Sequence, residues 1–219
     1  MTTTASTATD ALPISQRLRE RTAQAHESAE RAAFLERLLG GNLSIDAWAA
    51  LLQQYGAVYE ALEAATRRLR ERRDLPGLVV EELDRVPSIE SDLAALAPRV
   101  STPLPGVLPE TRSYADRIHD AAGDPARLLA HHYTRYLGDL SGGQAMRVMI
   151  DRAYGLPDDE ARFFAFDAID ELVPFKRAYR TRLDELPFDE AAISRLLDEA
   201  NESFAHNERI FTALERTFA

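Results

Sequence analysis

The densest chemistry in the chain lies between His131 and Gln144, in the run HHYTRYLGDLSGGQ. The run belongs to a helical stretch, yet Gly138, Gly142 and Gly143 fall close together in it, each costing about 1 kcal/mol relative to alanine in a helix interior. Glycine in such a place means a bend or a close approach by another body, and the i,i+4 spacing of Gly138 and Gly142 puts both on one face. A flat ligand against a bent helix accounts for both. A second centre is His26, whose neighbours on a helical face are Thr22, Ala29, Glu30 and Ala33, mostly small. A planar ligand can lie across that face with the imidazole as an axial metal ligand, while Glu30 accepts the other ring N–H and fixes the tautomer. Arg19, two turns earlier, can meet an anionic edge of the ligand. The plain alternative is a surface histidine with a helix-stabilising glutamate, and this helix alone does not decide between them.

The elements that must carry these groups are helical. Residues 1–12 read as a disordered lead and 13–219 as one folded domain, because no composition break or long linker divides the rest. The spacing predicts a first helix from Ser15 to Leu39, stopped at Gly40-Gly41, and a second opened by Ser44 and running to the arginine-rich stretch 67–73. Between Asp74 and Pro109 a Pro- and Gly-bearing region holds short helices, among them Ser88 to Leu96. Further helices are expected from Glu110 to Ala122 and, capped by Asp124 with proline at its first position, from Pro125 to Tyr154. Ile169 to Leu186, with a bend at Pro174, and a last helix capped by Asp189 and reaching Phe218 complete an all-α fold. No stretch alternates with period two long enough to make a strand.

Composition narrows the chemistry. The chain has no cysteine, so thiolate ligation and disulfides are excluded, and its formal net charge of -10 argues against nucleic-acid binding. No apolar span or secretory leader is visible, and the chain stops at Ala219 directly after an amphipathic helix, which predicts no membrane anchor and a cytoplasmic protein. Leu140-Ser141-Gly142-Gly143-Gln144 also matches the signature of ATP-binding-cassette ATPases. That reading fails on context: no phosphate-cradling G-x-x-x-x-G-K-[ST] loop exists, and the single lysine, Lys176, follows Phe175.

The longer string Tyr133 to Gln144 resembles the central motif of the heme oxygenases, and Ala25-His26-Glu27-Ser28-Ala29-Glu30 resembles the proximal-histidine segment of that family. The similarity continues through Val58-Tyr59-Glu60-Ala61-Leu62-Glu63, through Phe175-Lys176-Arg177-Ala178-Tyr179-Arg180, and into Phe204-Ala205-His206-Asn207, covering essentially the whole folded chain. The resemblance implies a single-domain helical bundle with haem sandwiched between the first helix and a glycine-kinked distal helix. It makes His26 the iron ligand, steadied by Glu30, and Gly138, Ser141 and Gly142 the bare distal surface. Asp139 would hold a water network with Arg135 and Tyr59, the catalytic group of the site. Arg19, Tyr133, Lys176 and Arg180 would meet the haem carboxylates, with Phe204 and Asn207 also at the ligand. Haem is then both substrate and oxygen-activating cofactor, with dioxygen as co-substrate. The implied reaction opens the ring at a meso carbon, the alpha position, to biliverdin, carbon monoxide and ferrous iron. A neutral histidine lacks the electron push of a thiolate that favours O–O cleavage, which suits attack on the porphyrin itself.

Electrons must come from an external donor, a ferredoxin or a flavoprotein reductase, since the chain has no dinucleotide, flavin or iron–sulfur motif. The arginines at 67–73 are either a solvated helix end or a docking patch for such a donor. The expected protein is a monomer serving iron acquisition, haem turnover or bilin supply. His131 and His132, close to the face of Gly138, are either competing ligands or second-layer and surface residues; His119 and His206 read as structural. Two other functions use the same features: a haem carrier, which would lack the Asp139, Arg135 and Tyr59 set, and a non-haem relative, in which His26 would be dispensable.

Overall fold

The protein is described by a computed structural model over residues 12–72, 74–157 and 161–219; residues 1–11 of the expected lead, and Arg73 of the arginine stretch, lie outside the described residues. Nine α-helices and no strand are found among them: α1 (Ile14–Glu30), α2 (Ala33–Leu39), α3 (Ile45–Arg72), α4 (Val86–Leu96), α5 (Pro109–Ala121), α6 (Pro125–His132), α7 (Gly138–Tyr154), α8 (Leu172–Asp184) and α9 (Glu190–Thr217). The two longest, α3 and α9, form the frame. α3 is buried almost all round, from Trp48 through Tyr55, Tyr59 and Leu62 to Leu69, and α4 and α5 pack on it. α9 buries a stripe every three or four residues, including Leu196, Glu199, Ala200, Ser203, His206 and Ile210, and packs against α1, α5 and α6. One contiguous core joins these surfaces.

Two expected caps are in place: the Asp124 carboxylate accepts from Ala126 N at 3.0 Å, and that of Asp189 from Ala192 N at 2.8 Å. Three expectations need correction. The first helix does not run unbroken from Ser15 to Leu39; it stops at Glu30, and Ala32, extended at ψ 127°, starts α2. Continuing the inward stripe of Leu18, Thr22 and Ala29 at 3.6 residues per turn would direct Glu36 into the core. The break resets the phase, so that Phe34, Leu35 and Leu38 are buried instead, with Phe34 stacked on Phe211 of α9 at 6.3 Å. The helix from Pro125 to Tyr154 is likewise three pieces, with a π-helical turn over Tyr133–Leu137 between α6 and α7. The irregularity therefore precedes the glycines, and Gly138 itself is helical at φ -61° and ψ -53°. Finally, Pro174 does not bend its helix. It is the third residue of α8, where the N–H it lacks would have had no partner in the helix.

Buried carboxylates staple the connecting segments to this frame. Glu63 on α3 accepts from Arg85 N and Val86 N, and Asp92 on α4 accepts from Arg162 N and Phe163 N, both at 2.8 Å. Burial pushes the Asp92 carboxyl up to about 6 against those bonds. The segment so held carries Phe163 and Phe164 onto α3, where Phe164 stacks on Trp48 and Phe163 meets Tyr59 edge-on.

Candidate functional site

A cleft of about 680 Å³ opens between α1 and the π-turn with the start of α7, within the range of small-molecule and cofactor sites. α1 contributes Arg19, Thr22, Ala23 and His26; the facing wall is Tyr133, Thr134, Leu137, Gly138 and Ser141; Arg180 of α8 and Phe204 of α9 close it. Thus the histidine and the glycine run, far apart in the chain, do face one another. Thr22 is the small neighbour of His26 named from the sequence, whereas Ala23, Thr134 and Leu137 were not singled out there, although the i,i+4 rule points to Thr134 from Gly138.

On the α1 wall, His26 is about half exposed and its Nδ1 lies 3.4 Å from Glu30 Oε2 one turn on, which leaves Nε2 as the nitrogen available to a ligand. Its ring meets Phe204 edge-on at 5.8 Å. Glu30 itself does not line the cleft; it acts on His26 from outside. Arg19 and Arg180 both line it, and neither has an ion-pair partner among the described residues. Tyr133 stands between their fields: burial raises its phenol pKa, and the two guanidinium groups oppose that rise. A free pair of cations beside a phenol is a receptor for carboxylates.

On the opposite wall the three glycines divide into two kinds. A methyl group at Gly138 or Gly142 would meet nothing within 4 Å, whereas one at Gly143 would lie 2.6 Å from Phe164. Gly143 is therefore bare because Phe164 packs against it; Gly138 and Gly142 are bare where no protein neighbour requires it. Gly142 is exposed beside the cleft and does not line it.

Behind Gly138 stands the polar group expected from the sequence. The Tyr59 hydroxyl donates to Asp139 Oδ2, and Arg135 Nη2 lies 3.6 Å from Asp139 Oδ1. Arg135 Nη1 donates to Asn207 Oδ1 at 3.0 Å, and its guanidinium lies over the rings of Tyr55, at 4.3 Å, and Tyr59, at 5.2 Å. Tyr55, one turn before Tyr59, was legible only as its same-face neighbour. Burial raises the Asp139 carboxyl, opposed by Arg135 and by the Tyr59 bond, and raises the Tyr59 phenol well above its usual range. Nε and Nη2 of Arg135 and the Thr134 hydroxyl are buried without a hydrogen-bond partner among the described residues. A charged donor with free N–H groups, next to a carboxylate of raised basicity, can order water and pass a proton from it.

The remaining candidates fall elsewhere. Lys176 does not line the cleft; its Nζ donates to Leu140 O at 3.2 Å. His131 and His132 are neither surface residues nor cleft-lining. His131 is fully buried with Nε2 at 3.0 Å from Glu199, which also takes hydrogen bonds from Arg117 and Arg127. Burial alone would push the Glu199 carboxyl up, yet those three partners hold it far below the usual range. His206 stacks on Tyr114 at 5.2 Å, and His119 is exposed in the last turn of α5. In the arginine stretch, Arg70 is committed to Asp84 by two bonds of 2.9 Å and Arg72 to Asp74, while Arg67 and Arg68 are exposed. Among the described residues no helix is long and apolar enough to cross a membrane, and no cluster of three His, Asp or Glu side chains is arranged to hold a bare metal ion.

The family model for heme oxygenase matches residues 12–213. Heme oxygenase 1 of the cyanobacterium Synechocystis is 34% identical over 203 residues, which span 92% of this chain and 85% of that protein. The crystal structure of the Synechocystis heme oxygenase-1 in complex with heme superposes with a TM-score of 0.84 at 32% identity, covering 94% of both chains. The heme oxygenase of Leptospira interrogans gives the same TM-score at 32% identity, covering 92% of this chain and all of that one.

Proposed function

The chain belongs to the heme oxygenase family, oxidoreductases that degrade haem, and we propose that it opens haem at the alpha meso carbon to biliverdin, carbon monoxide and ferrous iron. The observation that carries this reading is the pairing across one cleft of His26, whose Nδ1 faces Glu30, with Gly138, whose missing methyl group no protein neighbour requires. Haem seated there would supply both the iron that takes up dioxygen and the porphyrin that is opened.

His26 would ligate the iron through Nε2 while Glu30 holds the ring orientation. Arg19, Arg180 and Tyr133 would take the two carboxylates, their cations being free to do so. Lys176 joins them only by giving up Leu140 O. Gly138 and Gly142 let the backbone approach the ring face, with Ser141 and Phe204 at its edges. Asp139 is the catalytic group: kept basic by burial and oriented by Tyr59, it would hold water at the oxygen-binding side and release protons there. Arg135 and Asn207 fix that carboxylate in place. A carrier has no need of this set, and its presence favours the enzyme over haem transport. Electrons would come from a ferredoxin or flavoprotein reductase. We place the protein in the cytoplasm as a monomer with one oxygenase domain over 13–219, serving iron acquisition, haem turnover or bilin supply.

The test is an absorption time course of hemin-loaded protein given reductant and dioxygen with catalase present. The expected outcome is loss of the Soret band, growth of biliverdin absorbance and release of carbon monoxide. A Soret band stable under several electron donors would instead establish a carrier.

A further inference from the structure

The carboxylate receptor of the cleft is assembled from two elements that are remote in sequence. Tyr133 opens the π-turn, and Arg180 sits on α8. Each has an immediate neighbour that points the other way, into the core: His132, 1% exposed, and Tyr179, also 1% exposed. These two neighbours meet. His132 Nδ1 and the Tyr179 hydroxyl are 2.8 Å apart, and their rings are parallel within 5° at a centroid distance of 5.8 Å. Burial holds the His132 imidazole down at about 3, so it is neutral and Nδ1 can accept from the tyrosine at any physiological pH. The histidine is wedged further by Tyr136 of the π-turn, 4.5 Å away, which in turn packs on Tyr59 at 5.4 Å.

We propose that the His132–Tyr179 contact is a positioning pair that sets the spacing of Tyr133 and Arg180, and so fixes the in-plane orientation of the bound substrate and the meso carbon that is attacked. This rests on the haem reading above. The geometry supports it in two ways. The bond joins residues i-1 to both receptor groups, so a shift of α8 against the π-turn cannot change the spacing of Tyr133 and Arg180 without straining it. Among the described residues the other polar link from α8 to this wall, Lys176 to Leu140 O, ends on a flexible lysine that has its own use for a carboxylate and cannot hold the spacing once the substrate is bound. His132 and Tyr179 touch neither cleft nor substrate; they act through their neighbours.

The decisive variant is Tyr179→Phe, which deletes the hydroxyl and keeps the stacked ring. His132→Leu removes the acceptor, and His132→Asn restores it, since the asparagine amide oxygen occupies the place of Nδ1. In the protein without hemin, amide hydrogen exchange over 133–141 is expected to quicken roughly three- to tenfold in Tyr179→Phe and His132→Leu, the worth of one buried hydrogen bond, and to return toward wild type in His132→Asn. In the hemin-loaded ferric cyanide complex, the haem methyl resonances should change from one dominant set to two in the first two variants, and chromatography should resolve a second biliverdin isomer. Hemin affinity should change less than the isomer ratio. Wild-type exchange and a single haem orientation in Tyr179→Phe would overturn the inference, as would exchange raised evenly across the whole chain, which marks a merely structural bond. A wild-type protein that takes up no hemin would overturn the substrate reading, and the orientation half of the inference with it.

Discussion

On one side of the cleft, α1 buries only Ile14, Leu18, Thr22 and Ala29 of its 17 residues and is tied down by exposed contacts: Ser15 to Asp184, Arg17 to Glu190, Arg21 to Asp198 and Ser28 to Glu208. On the other side, Arg135, Tyr59, Tyr136 and Leu140 are buried, and the Asp139 carboxylate is met from two elements, by Tyr59 of α3 and Arg135 of the π-turn, with Asn207 of α9 accepting from Arg135. Exposed pairs contribute about 0–1 kcal/mol each, whereas a buried charge network breaks at high cost. The wall proposed to hold the metal is thus fixed by weak contacts, while the wall proposed to handle protons is held in one geometry. The difference suits the two tasks, because a ligating histidine needs only reach and direction, and a proton-delivering carboxylate needs a fixed position and a shifted pKa.

Substitutions on the two walls should separate these properties. The largest effect is expected for Asp139→Ala, with ring opening slowed by about 10²–10⁴, the usual contribution of a general acid–base group, while hemin still binds. Soret decay under turnover conditions measures it, and an unchanged rate would remove Asp139 from the mechanism. Next comes Arg135→Met, which leaves the partly buried Asp139 and Asn207 without their cation and should cost about 3–5 kcal/mol in denaturant unfolding. His26→Ala, by contrast, should leave stability within about 0.5 kcal/mol while changing the hemin spectrum. Equal stability losses in these two variants would erase the distinction between the walls.

The glycines offer a sharper version of the same contrast. Gly143→Ala forces Phe164 to move and should destabilise the protein by about 1–3 kcal/mol. Gly138→Ala meets no neighbour and should stabilise the hemin-free protein by up to about 1 kcal/mol while weakening hemin binding, as thermal melts and a Soret titration would read. The smallest effect is a pH slope. His132, held at about 3, and His206, at about 4, stay neutral in the folded state, so below 6.5 the unfolded chain takes up protons that the folded one refuses. Stability is therefore full above 6.5 and falls as pH drops toward 4. Asp92, raised to about 6, acts with the opposite sign, since the folded state takes up its proton first. Melting temperatures of Asp92→Asn should fall more steeply over that window than those of wild type.

Local order was legible without coordinates. Helical period and capping chemistry act within one or two turns, so the all-α class, the Asp124 and Asp189 caps, the His26–Glu30 contact and the Arg135–Asp139 pair could each be read from residues at most four apart. What tertiary structure alone decided is phase: how far one helix is rotated or broken to suit another. Nothing local stops a helix at Arg31; the break follows from the need of Phe34 and Leu38 to meet α9 where Glu36 would have pointed. Similarly, no single helix distinguishes Gly143, bare for Phe164, from Gly138, bare toward the cleft, because Phe164 arrives from a segment pinned by Asp92. The bond from Tyr59 to Asp139 spans 80 residues, and that from Tyr179 to His132 spans 47. Such contacts form only when the core has closed, since their energy depends on burial that the isolated segments do not have.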